Sequence, residues 1–318
     1  QTFQIYQKFN KYIDLKEDFI VAVSGGADSL ALTFLSKIYA IKNSLNVKFI
    51  IIDHKLRKNS TIEAKMVKKK LKKLFINAEI LTWYGKKPRK NLQSIARDKR
   101  YELLIKRAKK NKIKNILLGH HLDDLFENFF IRILRGSGLQ GLISFDKKTK
   151  NREINLVRPL LVFNKNDLIY VSKHVFGSYV NDPSNENEKF KRIKIRNFLK
   201  QLESEGMDKN KFLLTIKNLK FSNESISFYT KKNLEENISF LKKENIIILK
   251  DFFFNQSQEV IFRSFSTIIK IVGKKYYPAR GKKIQNIIHL INSKPAVKVT
   301  LGGCIIKKVN QTVIISKE

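Results

Sequence analysis

The 318-residue sequence carries 64 Lys and Arg against 28 Asp and Glu, a formal net charge of +36, and 42% of its residues are hydrophobic. A chain of this length buries a sizeable core and divides into about two domains, while so large a charge excess resists compaction unless an anionic partner answers it. A single cysteine, Cys304, excludes an intramolecular disulfide, a Cys-x-x-Cys pair and an iron–sulfur site built from this chain alone; a reducing, cytoplasmic compartment and no disulfide-linked partner are expected.

The N-terminal "QTFQIYQKFNKYI" has no apolar core of signal-peptide length, and no stretch approaches the ~18 uninterrupted apolar residues of a membrane helix, so no membrane partner is expected. Gln1 reads as a processed start. Strand-like runs follow at "FIVAV" (19 to 23), "VKFIIID" (47 to 53), "AEILTW" (78 to 83) and "NILLGHH" (115 to 121), with helical stretches between them. This alternation predicts an α/β domain with a doubly wound parallel sheet, whose ligands collect beyond the carboxyl ends of the strands. Ser24, Asp53, His54, Gly119 and His120 lie at such ends. The pattern fades after "VRPLLVFNKNDLI", and "VNDPSNENEKF" reads as a polar connector. A helical region is expected to about Asn245, then a strand-rich part ("NIIILKDFF", "AVKVTL", "CIIKKVNQTVIIS") with one clear helix, "RGKKIQNIIHLI", forming a smaller α+β module. The expected division is residues 1–200 and 201–318.

"FIVAVSGGADSLAL" runs a buried strand into a glycine turn and then a helix, a geometry that gathers backbone N–H groups at the positive end of a helix dipole. A bare Gly-Gly would serve backbone geometry alone; here Ser24, Asp28 and Ser29 are added at fixed offsets. Ser24-Gly25-Gly26-Ala27-Asp28-Ser29 is not the Gly-x-x-x-x-Gly-Lys-Ser/Thr loop, because no lysine follows the glycines. It resembles the pyrophosphate loop of the PP-loop, or N-type, ATPases, which cleave ATP between the α- and β-phosphates. That resemblance implies close phosphate approach at Gly25 and Gly26, hydroxyls from Ser24 and Ser29, and Mg²⁺ at Asp28.

In "LLGHHLDDLFENFFIRILRGSGLQGL" a helix from about Leu122 sets Asp123 with Glu127, and Asp124 with Asn128, as i,i+4 pairs, and carries Arg132 and Arg135 further on. Zinc is one reading of His120, His121 and the acids, but the His-Glu-x-x-His spacing and nearby thiols are lacking. Helix capping is another, and accounts for Asp123 better than for Glu127. The third is an acidic patch, including Asp124, for a cation: Mg²⁺ or a substrate ammonium. In "NLQSIARDKRY", Arg97 and Arg100 are i,i+3 on a helix, either as a solvated face with Lys99 or as stabilisers of charge on an α-phosphate or leaving pyrophosphate. Nucleic acid is the expected partner for the overall charge; the competing reading is a lysine-rich composition in which Lys68, Lys69, Lys70, Lys72 and Lys73 form one solvated face.

Taken together, "SGGADS", "DHKLR", "NLQSIARDKRY", "GHHLDDLFENFFIRILRGSGLQGL", "RPLL" and "DPSN" resemble, in order and spacing, the tRNA(Ile)-lysidine synthetase family, and "YYPARGKKIQNIIHLI" and "LGGCIIKKVNQTVIISKE" resemble its following segment. In Arg192-Ile193-Lys194-Ile195-Arg196 many members have Asn after the first Arg, so the two arginines alone carry over. Ending at Glu318, the sequence is expected to lack the further C-terminal module of longer members. The resemblance implies ATP and Mg²⁺ as cofactors, and an isoleucine tRNA with a CAU anticodon and free L-lysine as partners. The wobble cytidine is adenylated at its ring carbonyl oxygen, and the lysine ε-amine then displaces AMP. Asp124 and Glu127 would hold the ammonium and accept its proton, with His120 as the competing base; Asp28 and Asp124 would bind metal; Arg135, Arg192 and Arg196 would meet the tRNA; and Asp53 and His54 would join the loop Ser24 to Ser29 at the nucleotide. A sulfur-transferring relative would need more than one cysteine, amidating relatives need no such charge, and an idle tRNA-binding protein would not keep Ser24, Asp28, Ser29 and Asp124.

Overall fold

Strand β1 (Phe19–Val23) is apolar at every position because it is covered on both faces. Phe19, Val21 and Val23 point into one core layer with Phe9, Leu35 and Val171, while Ile20 points into the other with Ile50, Leu104 and Ile116. The computed structural model describes all residues except 57–58, 86–91, 152, 181–190, 242–245 and 275–278, and leaves aside the side chains of 92–94 and 191. The "DPSN" motif, nearly all of the polar connector, Arg57, Asn91 and the "YYP" of the C-terminal segment therefore lie outside the described residues.

The chain divides into two compact units, 1–208 and 209–318. In the first, α1 (Thr2–Tyr12) precedes β1, followed by α2 (Ala27–Lys42), β2 (Val47–Asp53), α3 (Ser60–Lys72), β3 (Ala78–Thr82), α4 (Leu92–Lys110), β4 (Asn115–Leu117), α5 (Leu122–Ile133) and α6 (Leu139–Leu142). A hairpin, β5 (Lys148–Asn151) and β6 (Ile154–Val157), then leads to α7 (Lys165–Phe176) and α8 (Lys191–Ser204). The helix α8 runs through position 200 and belongs wholly to the first unit. The sheet order is β3-β2-β1-β4-β6-β5, parallel except for the edge strand β5. After β1 the chain builds outward through β2 and β3, then returns to lay β4 on the opposite side of β1. That reversal opens a crevice between the carboxyl ends of β1 and β4, where doubly wound sheets bind ligands.

The second unit contains α9 (Lys209–Glu236), β7 (Ile238–Leu241), β8 (Ile246–Leu249), α10 (Gln258–Val272), α11 (Gly281–Ser293), β9 (Ala296–Leu301), β10 (Cys304–Val309) and β11 (Thr312–Lys317). Its strands form an antiparallel sheet in the order β7-β8-β11-β10-β9. Buried Cys304 and Ile306 alternate with less buried neighbours along β10, the pattern of a sheet packed on one face. The sequence reading expected helix where β7 lies and a single helix in the last third. In fact α10 also forms, with Val260, Ile261, Phe265, Ile268, Ile269 and Val272 on one helical stripe. Its β-branched residues favour strand locally; the three-and-four spacing decides for helix because only that period buries all six. The β5–β6 hairpin was likewise not expected. Among the described residues no helix is long and apolar enough to cross a membrane.

Phe265 is fully buried in the core of the second unit. Phe265→Ala is expected to lower the stability of that unit by about 3–5 kcal/mol, read from denaturant unfolding followed by circular dichroism.

Candidate active site

The turn between β1 and α2 is closed by one hydroxyl. Ser29 Oγ accepts hydrogen bonds from the Gly25 N–H (3.0 Å), the Ser24 N–H (3.2 Å) and the Ser24 hydroxyl (3.1 Å), and donates to the Gly26 carbonyl (3.0 Å). The sequence reading gave Ser29 to a phosphate; its proton is instead spent inside the loop, and its role here is to shape the turn. Ser24 remains exposed. No side chain caps the start of α2, so the N–H groups of its first turn are left for an anion. Two glycines are required by this construction. Gly25 has φ +86°, and a Cβ there would meet Val67 Cγ2 at 2.4 Å. At Gly119, just past β4, a Cβ would lie 3.2 Å from the Ser29 backbone nitrogen and 3.3 Å from its Cα, because α2 starts against the end of that strand.

Asp28, in the first turn of α2, is gripped by Lys165, whose ammonium lies 2.7 Å from both carboxylate oxygens. Sequence reasoning did not single out Lys165. Its one local signal is a cation at the first position of a helix, where the dipole favours an anion.

The acidic cluster is organised by the N-terminus of α5. His121 caps the helix, its Nδ1 accepting from the Asp123 N–H at 3.3 Å, and Asp124 Oδ2 accepts from the His121 N–H at 3.0 Å. The capping acid is thus Asp124 and not Asp123. Arg192, on α8, donates from Nη2 to Asp124 Oδ1 and from Nε to Glu127 Oε2, and Arg196 Nε donates to Glu127 Oε1 at 2.7 Å. Glu127 is fully buried, and both arginines are about 40% exposed. Burial opposes the charge on Asp124, but His121, Arg192 and the His121 N–H outweigh it and hold the carboxyl well below its usual range. For Arg192, burial likewise opposes the charge, and Asp124 and Glu127 reverse the balance. Arg192 and Arg196, expected at the tRNA, and Asp124 and Glu127, expected at an ammonium, thus neutralise one another in this state. Both Asp124 oxygens, expected at a metal, accept a hydrogen bond here, Oδ2 from the His121 N–H and Oδ1 from Arg192. Among the described residues no group of three or more His, Cys, Asp or Glu could hold a metal.

A cavity of about 280 Å³ opens at the β1–β4 crevice, lined by Ser24, Asp28 and Ser29 from the loop, His54, Ser60 and Glu63 beyond β2, Arg100 and Tyr101 from α4, and Gly119, His120 and Asp124 beyond β4. His120 stands edge-on to Phe145, and its Nδ1 is buried without a hydrogen-bond partner. Burial pushes its imidazole down to about 3, assisted by Arg97, Arg158 and Arg192 against the opposing pull of Asp124. Arg158, of "RPLL", is buried over the Phe145 ring and donates to the Asp146 carbonyl at 2.8 Å; it too was missed as an individual residue. Arg97 lies over the ring of Tyr101, which lines the cavity, whereas Arg100 lines it directly. Arg135 is exposed beyond the end of α5. Asp53 departs from expectation. It is buried and tied by Ser60 Oγ (2.8 Å), Thr61 Oγ1 (2.6 Å) and the Lys55 N–H (3.0 Å), so it anchors the start of α3 and leaves the cavity to His54.

A doubly wound sheet with an uncapped, glycine-turned helix start facing a polar crevice defines a nucleotide-binding domain of the PP-loop class. The model of the PP-loop domain family matches residues 1–203. The tRNA(Ile)-lysidine synthase of Wolbachia pipientis wMel is 32% identical over 301 residues, covering 94% of this chain and 70% of that protein. Its counterpart from Orientia tsutsugamushi (strain Boryong) is 33% identical over 306 residues, with 94% and 69% covered. Among solved structures, the U34-tRNA thiolase NcsA from Methanococcus maripaludis superposes with a TM-score of 0.59 at 16% identity, covering 68% of this chain and 77% of that one, a likeness of fold alone. The chain belongs to the PP-loop family and, within it, to the tRNA(Ile)-lysidine synthases.

Two outcomes follow for ionisation. Burial disfavours the Asp53 charge, but Thr61, Ser60 and the Lys55 N–H outweigh that and depress its carboxyl. Its contribution is present above the unfolded value of about 3.9 and lost as pH falls through the lower folded value. Asp53→Ala should cost about 1–3 kcal/mol at pH 7, with the gap to the parent chain closing in acid denaturation series. His120 acts in the same direction: below about pH 6.5 the unfolded chain takes a proton that the folded one refuses, so this site too lowers stability as pH falls. NMR of the ring should show no titration of His120 between pH 5 and 8.

Proposed function

We propose that the chain joins free lysine to the wobble cytidine of an isoleucine tRNA with a CAU anticodon, using ATP in two steps, and so converts AUG decoding to AUA decoding. The supporting observation is that the anion-ready start of α2 and the edge of the acid–arginine cluster open into one crevice. A phosphate-activating site and an amine-positioning site are thereby close enough to act on one base. In the first step the cytidine carbonyl oxygen attacks the α-phosphate and pyrophosphate leaves. In the second the lysine ε-amine attacks the activated carbon and AMP leaves.

Each residue has a defined part. The α2 N–H groups and Ser24 receive phosphate oxygens, and Arg100, with Arg97 behind it, offsets charge that builds during the first step. Asp28 fits a Mg²⁺ that comes with ATP, because Mg²⁺ takes one or two carboxylates and completes its shell with phosphate oxygens and water. Asp124 orients the ammonium, while Glu127 secures Arg192 and Arg196 behind it. An amine of pKa about 10.4 must lose a proton before it attacks. The burial that holds the His120 imidazole down at about 3 makes it too weak a base to take that proton in this state, so the proton passes to solvent and His120 faces the crevice as a neutral polar group. The exposed Arg135 and the basic excess of both units serve the tRNA backbone, and the second unit widens the footprint needed to tell one tRNA from another. A cytoplasmic setting fits such a reaction.

The deciding measurement is pyrophosphate release from ATP that requires both lysine and the cognate tRNA. Asp124→Asn should raise the apparent lysine requirement about ten-fold or more, with a smaller effect on ATP, because a hydrogen bond to a charged group is worth about 1.5–3 kcal/mol. Equal effects on both would assign Asp124 to the nucleotide. Arg135→Ala should weaken tRNA binding and flatten its salt dependence by about 0.7–0.9 in log–log slope, with ATP binding unchanged.

A further inference from the structure

The glycine loop of this chain has no lysine after it in sequence, although the neighbouring class of phosphate loops places one there to grip the terminal phosphates. The fold brings an ammonium to the same place from 137 residues away. Lys165 Nζ sits 2.7 Å from both oxygens of Asp28 at the opening of α2. The lysine is 41% exposed and the aspartate, which lines the crevice, 23%, so the pair is open to an incoming ligand.

Two physical points argue that this is more than a surface ion pair. Lys165 is the first residue of α7, a helix end at which a cation is disfavoured, while Asp167 in the same turn already satisfies that dipole. A lysine held there against its own helix is there for something across the gap. Asp28, in turn, projects a negative charge where a polyphosphate must lie, and an unscreened carboxylate would repel it. An ammonium carries three donors, of which Asp28 takes two.

We propose that Lys165 is a substrate-binding residue for the pyrophosphate portion of ATP, holding Asp28 neutralised in the empty loop and bridging Asp28 to the leaving phosphates when the loop is filled. This rests on the PP-loop reading of the site but adds a residue and a phosphate specificity to it. The lysine that other phosphate loops carry in sequence is here delivered by α7, and it marks the phosphates that leave, as distinct from the one transferred.

The test is calorimetric binding of inorganic pyrophosphate, AMP and ATP with Mg²⁺ to the full chain, without tRNA or lysine. Lys165→Met is expected to weaken pyrophosphate and ATP about ten- to hundred-fold and AMP less than about three-fold, with Lys165→Arg restoring most of the loss. Asp28→Asn and the double variant Asp28→Asn/Lys165→Met leave no unpaired carboxylate and keep the comparison valid should Lys165→Met fold poorly. If Lys165 touches phosphate, the double variant stays weaker for pyrophosphate than Asp28→Asn. Equal pyrophosphate affinity of those two, or an AMP loss as large as the pyrophosphate loss, would overturn the proposal. Lys165-dependent pyrophosphate binding in a chain that releases no pyrophosphate with tRNA and lysine would sink the lysidine reading and leave this one standing.

Discussion

The site depends on one close approach of backbones. The start of α2 is pressed against the end of β4 at Gly119, with room for a hydrogen but not for a methyl group without displacing the Ser29 backbone. That contact places the uncapped end of α2 beside the segment 119–124, and so puts an anion-binding turn, a neutral histidine and a buried carboxylate around one crevice. Sheet topology makes the approach possible. Because β4 returns to the inner side of β1, the two connections leave the sheet on either side of the same gap.

The charges around that crevice are handled in pairs. Asp28 is met by Lys165, and Asp124 and Glu127 are met by Arg192 and Arg196. Removing one partner of such a cluster leaves a buried charge exposed to a poor solvent, which is why fully buried Glu127 needs two guanidiniums beside it. All three cations come from α7 or α8, helices that follow the last strand of the sheet. The late helices of the first unit therefore complete a site whose anion-binding half is built by the earliest strand and helix.

Much of the frame was legible from residue order. The strands at 19–23 and 47–53 could be bounded because their apolar runs end at turn-forming or charged residues, and the helix start at Leu122 was visible from the acids at its head. The helix α10 was not read, since its Ile- and Val-rich composition resembles strand locally and only its burial stripe separates the two. The edge hairpin β5–β6 escaped because Lys148–Asn151 has no apolar residue to announce a strand; its partner Ile154–Val157 makes it one.

The sequence by itself determined that a phosphate-turn, a histidine–acid helix start and a basic surface coexist, because those are properties of short segments and of composition. Which groups touch was decided by tertiary structure alone. Ser29 turned inward to the loop, Asp53 to α3, and Arg192 and Arg196 toward acids more than sixty positions earlier. Lys165 reached Asp28 across 137 positions. The physical reason is that hydrogen bonds and ion pairs between distant segments are selected by where sheet order and helix packing deliver each side chain, and no local propensity encodes that delivery.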